Sequence, residues 1–185
     1  AIGARRAARK FERIVGKQHS IPSYYVISRG DDGEVKPVVL QPFLADAVPL
    51  FAVDYSRLNF QQRLRIAKQL LHLIYRSVTA FMRGGVMPDL YGRASESVEA
   101  RKVQKSWRRL PHRLWGFIVK RNLLRAHNLM LINPTKPRIV LVDYDAVPHS
   151  KLYQMVYYNV RLVLFWRDLV LIWMMLLFGV VLSAE

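Results

Sequence analysis

Asn128 and Asp143 bracket a stretch of chain whose composition should bring them together. Leu129-Met130-Leu131-Ile132 and Ile139-Val140-Leu141-Val142 are apolar runs of strand length, and Asn133-Pro134-Thr135-Lys136-Pro137 between them has the composition of a turn. Paired antiparallel around that turn, the two runs place Asn128 and Asp143 at the same open end. An amide oxygen and a carboxylate there are hard donors. They suit a magnesium ion on a nucleotide, which takes one or two protein oxygens and fills its shell with phosphates and water. Other metal and nucleophile chemistries find less support. The chain has no cysteine, which removes disulfides, thiolate zinc sites and cysteine nucleophiles together. His19, His72, His112, His127 and His149 are scattered and form no metal spacing; His127 reads as a packing or hydrogen-bonding residue.

The elements that must position these residues are read from periodicity and punctuation. Residues 4–17 favour a helix with Phe11, Ile14 and Val15 on one side and a dense basic face on the other. Tyr24-Tyr25-Val26-Ile27-Ser28 and Val38-Val39-Leu40 read as strands joined through Arg29-Gly30-Asp31-Asp32-Gly33, which makes a hairpin. Pro42 and Pro49 punctuate the segment after this hairpin. Residues 58–82 form a long amphipathic helix, with Leu64, Ala67, Leu70, Leu71, Ile74, Val78 and Phe81 at helical spacing and Gly84-Gly85 as its stop. Met87-Pro88-Asp89-Leu90-Tyr91-Gly92 is non-helical.

His127-Asn128-Leu129-Met130-Leu131, with Ile139-Val140-Leu141-Val142-Asp143-Tyr144-Asp145 after it, resembles the protein-kinase pattern. There a catalytic-loop Asn precedes a hairpin that ends in Asp-Phe-Gly. It is more similar to atypical bacterial kinase-like families, whose second motif is Asp-Phe-Asp or Asp-Tyr-Asp. The likeness spans roughly residues 8–148 and includes the order of elements: helix with a Glu, hairpin, hinge, long helix, catalytic loop. It implies an α+β kinase-like fold, ATP and Mg2+ as cofactors, and phosphoryl transfer to an acceptor hydroxyl. Asn128 and Asp143 would hold the metal. Glu12 would orient a strand Lys, and Gln41 and Phe43, in the hinge segment Gln41-Pro42-Phe43-Leu44, would meet the nucleotide. Gly85-Val86-Met87-Pro88-Asp89-Leu90 resembles the segment ending in His-Arg-Asp-Leu, which makes Asp89 the implied base.

Against the family pattern, residues 91–127 stand between Asp89 and Asn128 as a basic insert, and the usual base position, five before Asn128, is Leu123. The Gly-rich phosphate loop and its Lys belong before Glu12. The implied organisation is a small-lobe remnant over 1–40, a large lobe over 41–160, and a hydrophobic helix over 161–185.

A formal charge of +16 on 185 residues calls for an anionic partner. Much of it lies in 93–126, where Arg101, Lys105, Arg108, Arg113 and Arg121 interleave with Trp107 and Trp115. That composition suits anionic lipid headgroups and also single-stranded nucleic acid. The uncharged run at 169–184 favours the lipid, and it reads as a membrane anchor preceded by Arg167 and Asp168, with the domain on the cytoplasmic face. A buried large-lobe helix is the other origin for such a run. The sequence thus predicts a membrane-associated, magnesium- and ATP-dependent phosphotransferase. Two alternatives are a pseudokinase without turnover and a basic membrane-surface binding module.

Overall fold

The structure is a computed structural model that describes residues 9–10, 12–30, 33–85, 87–92, 122–133, 135–142 and 151–180. It is a mixed α+β arrangement. Helical backbone at residues 9–10 and 12–15 (α1) leads into a hairpin of β1 (Tyr24–Arg29) and β2 (Val35–Leu40), in register from Tyr24 opposite Leu40 to Arg29 opposite Val35. The second strand starts earlier than its β-branched run at 38 because Pro37 is tolerated in a two-stranded sheet, where both strands are edges. A second sheet, in the order β3 (Val48–Pro49), β4 (Leu129–Ile132), β5 (Arg138–Leu141), is antiparallel throughout. The two-residue β3 carries no strand signal of its own and exists by pairing Val48 with Leu131.

The long helix, α2, spans Phe60–Gly84. It begins two residues later than its apolar periodicity suggests because Asn59 and Gln62 form a reciprocal cap: each side chain accepts from the other's backbone N–H at 2.9 Å. It ends where Gly85 takes a left-handed φ of 64°. Ile66, Ala67, Leu70, Leu73, Ile74 and Ser77 form its buried face, and Leu71 falls outside it. Gln69 fastens this helix to the sheet, accepting from Ile139 N and donating to Pro137 O, each at 2.8 Å.

The last helix, α3 (Lys151–Phe178), corrects the membrane-anchor expectation. No helix among the described residues is long and apolar enough to cross a membrane. Arg161, Arg167 and Asp168 interrupt α3, and Gly179 ends it with a φ of 67°. The uncharged part of the helix, residues 169–178, is about 15 Å long at about 1.5 Å per residue, half of a ~30 Å hydrocarbon core. Leu171, Ile172, Met175 and Leu176 instead join the core cluster with Ile66, Leu70 and Leu73 of α2. Each such side chain contributes about 1.5–3 kcal/mol by leaving water. The remainder of the run, 181–184, lies outside the described residues.

Candidate functional site

The turn Asp89–Gly92 is docked onto the residues just before β4. Asn128 Nδ2 donates to the Asp89 carbonyl at 2.9 Å, and His127 N donates to the Tyr91 carbonyl at 2.8 Å. The approach is close enough to demand glycine. At Gly92, φ is 68°, and a Cβ would stand 2.2 Å from Asn128 Oδ1 and 2.9 Å from Asn128 N. Asp89 shapes the turn from within, its Oδ1 accepting from the backbone N–H of Tyr91 at 3.2 Å and of Gly92 at 3.4 Å.

Behind this turn lies a charged network that α3 carries into the core. Arg161, 2 % exposed, sits 3.6 Å from Asp89 Oδ1, donates to Tyr157 Oη at 2.7 Å, and stacks 3.7 Å over the Tyr91 ring. The Tyr157 hydroxyl bonds to the Asp89 carboxylate, and burial pushes its pKa up to about 12 against the pull of Arg161. Tyr91 donates its hydroxyl to Asp168 Oδ2, and Asp168 Oδ1 pairs with Arg167 Nη2 at 2.8 Å. Burial raises the Asp168 pKa, opposed by the Tyr91 hydroxyl and Arg167, while burial beside that carboxylate holds Tyr91 protonated well above the usual phenol range. The backbone N–H of Leu123 also reaches Asp168. Next to it, the side-chain oxygen of Asn122 is buried without a hydrogen-bond partner among the described residues. Sequence reasoning missed Arg161, Tyr157, Tyr91 and Asn122. The available signal was the pair Arg161 and Asp168, seven residues apart, charged on the helix face that otherwise enters the core.

The expected site residues fare differently. Leu129 pairs with Leu141, and Val142 N donates to the Asn128 carbonyl at 3.0 Å, so the 128–142 hairpin closes as the turn composition predicts. Asp143 and Asp145 lie outside the described residues, as do residues 93–121 of the basic insert over 91–127. Asp89 and Asn128 are brought together across a separation of 39 residues. Gln41 reaches the same hairpin end, its Nε2 donating to Ser23 Oγ at 2.9 Å and to the Val142 carbonyl at 3.5 Å. Phe43 is 92 % exposed and Glu12 is exposed on α1. No hydrogen bond or ion pair among the described residues ties either to Asp89 or Asn128. Leu123, at the usual base position of the kinase pattern, is buried apolar core.

No cluster of three or more His, Cys, Asp or Glu side chains able to hold a metal occurs among the described residues. A nucleotide-borne magnesium ion needs fewer protein ligands, and the donor chemistry fits it. The amide nitrogen of Asn128 is committed to Asp89, which leaves its Oδ1 as a hard oxygen at the hairpin end, where Val142 N meets the Asn128 carbonyl. No family model, curated protein or solved structure matches the chain.

Proposed function

We propose that the chain is a kinase-like phosphotransferase that uses ATP and magnesium at the anionic cytoplasmic surface of a membrane. The observation that carries this is the 2.9 Å bond from Asn128 Nδ2 to the Asp89 carbonyl, which joins the two residues that phosphoryl transfer would require in one site. Asn128 and Asp143 would hold the ion, whose chemistry is to neutralise phosphate charge. Asp89 would accept the hydroxyl proton of the acceptor, and Arg161 and Tyr157 fix its carboxylate. The membrane component rests on the outward face of α3, where Val163, Trp166, Val170 and Trp173 are all exposed at three- and four-residue spacing. With a net charge of +16, this apolar stripe suits an anionic bilayer lying alongside it rather than around it.

One observation favours a second reading, nucleotide binding without turnover. The Asp89 carboxylate already meets two backbone N–H groups, the Tyr157 hydroxyl and Arg161, and a carboxylate so occupied is a weak general base. Calorimetric titration with ATP, with and without magnesium, and a phosphate-transfer assay on the same protein separate the two. Transfer that Asp143→Asn abolishes more severely than Asp89→Asn supports the phosphotransferase. Magnesium-dependent binding without transfer supports the binding module. Absence of magnesium-dependent binding overturns both.

A further inference from the structure

A concave surface that shares no residue with the Asp89–Asn128 site lies between α1 and the C-terminal half of α2. It is a cavity of about 620 Å³ whose polar lining includes Arg9, Lys10, Arg13, Tyr75, Arg76 and Arg83. The helical spacing of these residues explains the shape. Arg9, Lys10 and Arg13 share one side of α1, while Tyr75, Arg76 and Arg83 share one side of α2 across two turns. Between them α2 presents the small side chains of Thr79 and Ala80, which leaves the hollow. No carboxylate among the described residues lines it.

Helix-end electrostatics account for only part of this charge. Arg76 clamps the end of α1, its Nε donating to the Ile14 carbonyl and its Nη2 to the Arg13 carbonyl, each at 2.6 Å. Arg83 stands in the last turn of α2, where a cation is favourable. Arg9 and Lys10 precede the last turn of α1, beyond the reach of that effect. Among the described residues, no carboxylate pairs with Arg9, Lys10, Arg13 or Arg83. Holding these cations around one hollow costs mutual repulsion that a bound anion would relieve.

We infer that this cavity is a binding site for a cluster of phosphate groups, carried either by a soluble polyphosphate or by the phosphomonoester headgroup of a lipid. Guanidinium forks match the oxygen spacing of phosphate and pair with it bidentately. The volume falls within the ~300–1,000 Å³ of small-ligand sites. Tyr75, 67 % exposed at the rim, supplies a hydroxyl and a ring face to whatever group bears the phosphate. The carbonyl clamp made by Arg76 keeps α1 in place while Arg9, Lys10 and Arg13 face the hollow.

The test uses the whole chain, with inorganic tripolyphosphate as the soluble probe at about 0.15 M salt, where diffuse surface attraction is screened within about 8 Å. Arg13→Gln combined with Arg83→Gln removes two lining charges and leaves the Arg76 clamp intact. The control, Arg65→Gln combined with Lys68→Gln, removes two charges of α2 outside the cavity. The expected result is a loss of at least about tenfold in tripolyphosphate affinity for the cavity pair and less than about twofold for the control. Vesicles containing phosphatidic acid, compared with phosphatidylserine vesicles of equal charge, identify the source. A phosphatidic acid preference that the cavity pair abolishes marks a lipid headgroup, and tripolyphosphate binding without it marks a soluble ligand. Equal losses in both pairs, or no binding to either probe, overturn the inference. Neither result depends on Asp89 or Asn128, so it stands or falls apart from the phosphotransferase.

Discussion

Gly92 and Gly85 offer a matched pair of substitutions that isolates the contact on which the site depends. Both are left-handed, with φ of 68° and 64°, so alanine at either meets the same backbone penalty of about 1–2 kcal/mol and the same entropic gain of about 0.4–1 kcal/mol from a stiffer unfolded chain. They differ in surroundings. A Cβ at Gly85 meets nothing within 4 Å, whereas at Gly92 it would lie 2.2 Å from Asn128 Oδ1 and 2.9 Å from Asn128 N. The Asn128 side chain must swing away, which breaks its bond to the Asp89 carbonyl at about 0.5–1.5 kcal/mol. The overlap with backbone adds about 1–3 kcal/mol of overpacking. Gly92→Ala should therefore be less stable than Gly85→Ala by about 1.5–4.5 kcal/mol, or roughly 3–18 °C in Tm at about 2–4 °C per kcal/mol. Urea unfolding and thermal melts monitored by circular dichroism read the difference. Asn128→Ala added to Gly92→Ala should cost almost nothing further, because its bond is already lost. If the two glycine variants match within about 0.5 kcal/mol, the turn does not rest on Asn128 and the geometry of the site is refuted.

Arg161→Leu removes the cation from a nearly enclosed pair with Asp89 and should cost on the order of 3 kcal/mol. A loss below about 1 kcal/mol in urea unfolding would show that the Tyr157 hydroxyl and the turn N–H groups satisfy the carboxylate unaided. His19 predicts a pH dependence. Buried, and with His72, Arg138 and Arg76 nearby, it is held below its ordinary 6.5, and as a neutral ring it donates from Nδ1 to the Ile139 carbonyl at 2.9 Å. The folded state then binds fewer protons than the unfolded one. Stability from this group is full above pH 6.5 and declines as pH falls from there toward the depressed value. Tm measured between about pH 7.5 and 5 should drop, and His19→Gln should flatten that drop; an unchanged slope would assign it elsewhere.

What the sequence determined is local. The 128–142 hairpin is set by its turn: Asn133 accepts the left-handed φ of 54° and its Oδ1 takes hydrogen bonds from Lys136 N and Thr135 Oγ1, all within four residues. The α2 helix is set by its period and its Asn59–Gln62 cap, also local. Tertiary structure alone decided where α3 goes. An apolar helix shows the same composition whether core or hydrocarbon covers it, and only packing on α2, with Arg161 and Asp168 turned inward, separates the two. The site is a matter of tertiary structure in the same way. Asn128 meets Asp89 across 39 residues, and Tyr91 meets Asp168 across 77. No periodicity encodes such meetings, because they depend on how α2, the β3–β5 sheet and α3 close on one another.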